Sequence, residues 1–126
     1  MRFEFRLPRG GNNGAIIRTS NQSGFEIQIA DDSHLRDDHH PSDFHGSIQG
    51  IVPVRRGSLN PVGQWNTMEI TANGSMIRVV ANDQIVVDTD IRNLDSPALQ
   101  NKSGHLEFHG FRGQTEFRNI RIKELQ

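Results

Sequence analysis

The first residues of the chain alternate. In Arg2-Phe3-Glu4-Phe5-Arg6-Leu7 the side chains of Phe3, Phe5 and Leu7 fall on one face and the charged ones on the other. Period two is the pattern of a half-buried strand. Pro8 through Gly14 is a cluster of turn formers, so a reversal is expected there. Ala15 to Thr19 predicts a second strand and Asn21 to Gly24 a turn. Phe25-Glu26-Ile27-Gln28-Ile29 predicts a third strand, with Glu26 and Gln28 away from the core. Further strands are expected over Ser47–Pro53, Trp65–Ala72, Ser75–Ala81, Gln84–Asp88, His105–His109 and Thr115–Lys123. Asn73-Gly74 between two alternating runs is a strong hairpin signal, and Asn82-Asp83 predicts another reversal. Many short strands separated by turn signals predict an all-β chain: an antiparallel two-sheet sandwich, as one domain over residues 1–126.

Residues 31–45 break the rhythm. They hold five Asp and four His, show no period, and contain Pro41. Such a stretch reads as a long functional or mobile loop. Arg55 to Gly63 reads as a second loop.

Composition then removes several function classes. The 14 basic and 15 acidic residues leave a net charge of -1, which gives no basic footprint for nucleic acid. No apolar run approaches the roughly 20 residues of a membrane-spanning helix. Arg2, Glu4 and Arg6 interrupt the N-terminus where a signal peptide would be apolar, so none is expected. The absence of cysteine excludes disulfides, thiolate metal sites and a Cys nucleophile. It is compatible with the cytosol or with export, so location stays open.

Strand parity supplies the candidate chemistry. It places Glu4, Arg6, Arg18, Glu26, Gln28, Gln49, His105, Glu107 and His109 on outer sheet faces. If these strands adjoin, the face can run general acid–base chemistry or hold a divalent metal. A solvated sheet face is the plain alternative. His105-x-Glu107-x-His109 projects from one side of a strand, but it is not the helical H-E-x-x-H and is a weak motif alone. In the Asp/His loop, Asp31 and His45 lie at strand ends and are the candidate ligands for calcium, manganese or zinc. His34, His39 and His40 read as hydrated loop residues. Trp65 reads as packing, and Arg118 and Arg121 are expected on opposite faces of the last strand.

Several ordered segments together resemble the 3-keto-disaccharide hydrolase family. They are Arg2–Pro8 followed by Gly11–Gly14, Gly24–Ile29 with Asp31, Gly63–Asn66, Gln84–Asp88, and His109-Gly110 through Leu125. The resemblance implies a concanavalin A-like lectin/glucanase fold, a two-sheet jelly roll with a concave saccharide-binding face. It also implies cleavage of sugars oxidised at C3, by removal of the C2 proton, elimination of the C1 substituent and hydration. Glu26, Gln28, Asp31, His109 and Arg18 match the family pattern. On that basis Glu26 and His109 are candidate catalytic residues, and strand parity adds Glu107. Arg18, Gln28, Gln49 and Asn13 are the candidate saccharide contacts.

The resemblance also shows departures. Relatives carry further strands before the first one here, so an N-terminally short sandwich is expected, with open edges that invite a second copy of the chain. Glu107 stands where the family has Gln, and His45–Gly50 lacks the family's Tyr. A non-catalytic carbohydrate-binding sandwich is therefore the alternative function. A two-carboxylate glycosidase using Glu26 and Glu107 is a third.

Overall fold

The computed structural model describes residues 1–21 and 23–125. Eight strands form among the described residues: β1 (Arg2–Arg6), β2 (Asn12–Ser20), β3 (Ser23–Ala30), β4 (Trp65–Asn73), β5 (Met76–Ala81), β6 (Gln84–Asp90), β7 (His105–Arg112) and β8 (Glu116–Arg121). Four three-residue 3-10 turns are the only helical elements among them. No helix among the described residues is long and apolar enough to cross a membrane. Gln22, within the expected Asn21–Gly24 turn, lies outside the described residues.

The strands pair antiparallel in two sheets, ordered β6-β5-β4-β1-β8 and β3-β2-β7. This is the expected β-sandwich. Its core joins the inward residues of both sheets: Phe3, Phe5 and Leu7 of the N-terminal segment meet Ala15, Ile17, Phe25, Ile27 and Ile29, with Met68, Ile70, Ile77 and Val79 completing the larger sheet's contribution. Phe3 is fully buried and lies edge-on to Phe108 of β7, with ring centroids 5.1 Å apart. It therefore ties one edge of the small sheet to an interior strand of the large one.

Four expectations are corrected. Ser47–Pro53 is not a strand; only Ile48 bridges, to Ile27 on one side and Val52 on the other. Gly46 and Gly50 flank it at positive φ (88° and 74°), and the amides of Ile51 and Val52 both turn back to the Ile48 carbonyl. The Asp/His loop is not loose: Ser42, Phe44 and His45 are buried, and Ser47 donates its hydroxyl to the Ser42 carbonyl. Third, β2 starts at Asn12, inside the expected turn cluster, because Asn12–Gly14 pair with neighbours on both sides. Finally, Arg118 and Arg121 share the outer face of β8, opposite Glu4 and Arg2. A bulge containing Asn119, at φ 53°, supplies the extra residue that reverses their parity.

Both expected hairpins form. Gly74 (φ 57°) opens the β4–β5 loop, and Asn82 and Asp83 (φ 46° and 64°) make a two-residue turn between β5 and β6. Asn82 also anchors the second loop: its amide donates to the Ser58 carbonyl and to Asn66 Oδ1, and its oxygen accepts the Thr67 amide. Asn82→Ala removes these bonds and leaves an ordinary residue in left-handed backbone. We expect a loss of about 2–4 kcal/mol in urea denaturation, with Asn82→Gly less costly by about 1 kcal/mol. Equal losses in the two variants would show that backbone strain contributes nothing.

Candidate active site

The small sheet carries the acid–base residues on its solvent face. Its central strand β2 fixes which ones meet. Across it, Ile16 stands opposite Glu26 of β3 and Glu107 of β7, while Gly14 stands opposite Gln28 and His109. Asn12 is opposite Ala30 and Arg112 in the next row. Residues directly opposite in a ladder share a face, so Glu26, Gln28, Glu107, His109, Asn12 and Arg112 project together.

Glu26 and His109 make contact although β2 separates their strands. Glu26 Oε1 lies 3.4 Å from His109 Nδ1. The Glu26 side chain runs diagonally over Gly14 to get there; a Cβ at Gly14 would lie 1.9 Å from Oε1. An ionised carboxylate only accepts, so the imidazole donates through Nδ1–H and leaves Nε2 free. The His109 side chain is 49% exposed and Glu26 only 20%. The pair thus presents an open imidazole backed by a covered carboxylate.

Other predicted site residues are placed differently. Gln28 is 5% exposed, and its amide donates to Asn12 Oδ1 and the Asp43 carbonyl, joining the sheet to the Asp/His loop. Gln49 is exposed; its backbone amide donates to the Glu26 carbonyl, which holds it beside Glu26. Asn13 has the opposite parity from Gly14, is 3% exposed, and donates to Thr115 Oγ1. Arg18 sits at a bulge with φ 57° and donates to the Gly74 carbonyl, 2.7 Å away, across the gap between the sheets. Glu4 and Arg6 belong to the large sheet, where they pair with Arg118 and Glu116, so the condition that all of these strands adjoin is not met and the outer-face residues are divided between two sheets. Trp65 lies on that large-sheet face beneath the Arg118 guanidinium, 3.7 Å from its ring centroid.

The candidate metal ligands are engaged in holding the loop. Asp31 accepts from the Gly10 amide through Oδ2 and from the Ser33 amide and hydroxyl through Oδ1. Burial pushes its carboxyl up, but the Ser33 and Gly10 hydrogen bonds outweigh this and hold it below the usual range. His45 is 2% exposed, packs on Phe5 with ring centroids 5.2 Å apart, and its Nδ1 has no partner. No three His, Asp or Glu side chains converge as a metal site among the described residues. The donor set does not fit a calcium, manganese or zinc site.

The sequence pattern does not single out Asn12 or Arg112. Asn12 falls within a cluster of turn formers, and Arg112 lies beyond the expected end of its strand, past a bulge between the pairs at Asn12 and Asn13.

Residues 1–123 match the 3-keto-alpha-glucoside-1,2-lyase-like domain. The chain belongs to that family. Three solved structures from Parabacteroides distasonis ATCC 8503, each named "putative glycosyl hydrolase", resemble this lyase-like domain. One is 25% identical with a TM-score of 0.85, covering 98% of this chain and 76% of its own. Another is 16% identical with a TM-score of 0.79, covering 99% and 70%. The third is 20% identical with a TM-score of 0.68, covering 98% and 62%; at these identities the latter two show the fold alone. No curated protein matches the lyase-like domain in sequence. Family and fold place it among carbohydrate-active, hydrolase-like domains.

The buried His45 contributes an acid-sensitive part of this lyase-like domain's stability in a defined window. Burial lowers its pKa from 6.5 to about 3, so the folded protein keeps the ring neutral while the unfolded chain protonates it. Its contribution to stability is therefore lost as pH falls below about 6.5, by roughly 1.4 kcal/mol per unit, until the folded-state pKa is reached. Burial raises the pKa of neighbouring Asp32, which titrates with the opposite sign. Urea midpoints at pH 7, 5.5 and 4.5 should fall less steeply for His45→Phe than for the unmodified protein. Parallel slopes would show that His45 does not carry the dependence.

Proposed function

We propose that this domain cleaves 3-keto-glycosides by base-catalysed elimination, with His109 as the base and Glu26 as its positioning residue. The contact between Glu26 Oε1 and His109 Nδ1 on an open sheet face carries this reading. A ketone at C3 acidifies the C2 proton. His109 Nε2 takes that proton, and the C2–H electrons move into the C3 carbonyl as an enolate. Collapse of the enolate forms the C1=C2 bond and breaks the bond from C1 to the leaving oxygen, which receives a proton. Water then adds across C1=C2, hydroxyl to C1 and proton to C2. Glu26 favours the Nδ1–H tautomer and stabilises the imidazolium that forms, as carboxylates do behind catalytic histidines. Arg112, one row away on the same face, supplies positive charge for the enolate oxygen. Ile16, between Glu26 and Glu107 in the same row, gives the apolar face of a sugar ring a surface to lie on.

The two-carboxylate glycosidase receives less support. Glu26 and Glu107 are two strands apart, about 9–10 Å at the backbone, but the Glu26 carboxylate turns to His109 rather than facing Glu107 across a gap. The non-catalytic saccharide-binding alternative is favoured by one observation: the cleft of about 1030 Å³ is lined by Arg18, a candidate saccharide contact, and not by Glu26 or His109.

An NMR time course with a 3-keto-disaccharide separates these readings. Release of the leaving sugar is expected, reduced about 100-fold or more in His109→Ala. Glu26→Gln should lower the rate while leaving the urea midpoint nearly unchanged. Line broadening without turnover would favour the binding module. Turnover that survives His109→Ala would remove His109 as the base.

A further inference from the structure

We propose that Gly14 is a positioning residue: its missing side chain is the passage through which Glu26 crosses β2 to hold His109. The proposal rests on the Glu26–His109 reading for its kinetic consequence, but its structural part stands on geometry alone.

A glycine in the middle of a strand weakens it and calls for a reason. Backbone conformation is not the reason here, because Gly14 is absent from the residues at positive φ. Nor is a bulge, because the ladder is regular at Gly14 on both sides; the shifts lie between Asn12 and Asn13 and beyond Ile16. The three atoms nearest to a side chain there all belong to Glu26: Oε1 at 1.9 Å, Cγ at 2.4 Å and Cδ at 2.5 Å. Since the clash includes Cγ, a rotation of the terminal carboxylate does not relieve it, and the whole side chain must leave its path. Gly110, the neighbour of His109 on β7, provides the contrast. A Cβ there meets only Asn13 Oδ1, at an ordinary 3.8 Å.

The geometry also explains how residues on the two outer strands of a three-stranded sheet can touch at all. Adjacent strands are about 4.8 Å apart, so a side chain at the central position normally stands between its two neighbours. Removing it turns a wall into a channel, open only to a side chain long enough to cross diagonally.

The imidazole tautomer of His109, read by ¹⁵N NMR, tests this without substrate. The unmodified protein and Gly110→Ala should show Nδ1–H. Gly14→Ala should lose that preference to the same extent as Glu26→Ala. Adding Gly14→Ala to Glu26→Ala should change nothing further, because the obstructed side chain is already gone. In turnover, Gly14→Ala should lower kcat at least tenfold, and the double variant should be no slower than Glu26→Ala. If Gly14→Ala keeps the Nδ1–H tautomer, or if the two changes add, the proposal is overturned. Should Gly14→Ala fail to fold, the double variant decides. Folding like Glu26→Ala supports the clash with Glu26, whereas unfolding makes Gly14 a requirement of the backbone and sinks the proposal. Absence of turnover in every protein, with the tautomer pattern as expected, removes the elimination chemistry and leaves the role of Gly14 intact.

Discussion

Backbone hydrogen bonds from β2 to β3 on one side and to β7 on the other govern everything on the open face of the small sheet. A strand has a side-chain period of two, so a slip of one residue would send every side chain to the opposite face. The inward residues Ala15 and Ile17 hold the register, because a slip would bring Asn12 and Gly14 into the core in their place. Fixing the apolar face thereby fixes the polar one. Glu26 meets His109 as a by-product of where Ile27 and Phe108 must pack.

Much of this arrangement is legible in the sequence. Alternation in Arg2–Leu7 and Phe25–Ile29 locates the strands and their buried faces, and positive-φ turn formers locate the hairpins. Parity also places Glu26, Glu107 and His109 on one face. What parity does not contain is which strands are neighbours. Glu4 and Glu26 look equivalent in the sequence, yet β1 lies between β4 and β8 in the large sheet, and β3 in the small one. Bulges are equally hidden. One at Arg18 turns the guanidinium away from the site toward Gly74, and one at Asn119 brings Arg118 and Arg121 to the same side. Each inserts a single residue, which a period-two pattern cannot register over a few positions.

The Asp/His loop shows how chemically suggestive residues can serve structure. Asp31 and His40 each accept the amide of the second residue of a 3-10 turn, Ser33 and Ser42, and Asp32 accepts the His45 amide. His45 fills space against Phe5. These contacts place the backbone of Gly46, Ser47 and Gln49 along the edge of β3, where it exchanges hydrogen bonds with Glu26 and Gln28. The loop thus seals the edge that carries Glu26, and its histidine content reflects packing and capping. The opposite edge, β7, has no such cover among the described residues and is exposed along its length.

The topology of the large sheet bears on the order of assembly. β1 sits between two strands that both follow it far along the chain, with Arg2 opposite Glu69 on one side and Arg121 on the other. The β4–β5–β6 meander closes through two tight turns and needs only local contacts, whereas β1 can be enclosed only after the last strand is available. Phe3 and Phe5, the aromatic centre of the finished core, therefore remain without their full set of neighbours until late in folding. Non-local pairing of this kind carries a large loop-closure entropy before any contact offsets it, which slows folding. The strand that binds the two layers together is the one whose partners take longest to gather.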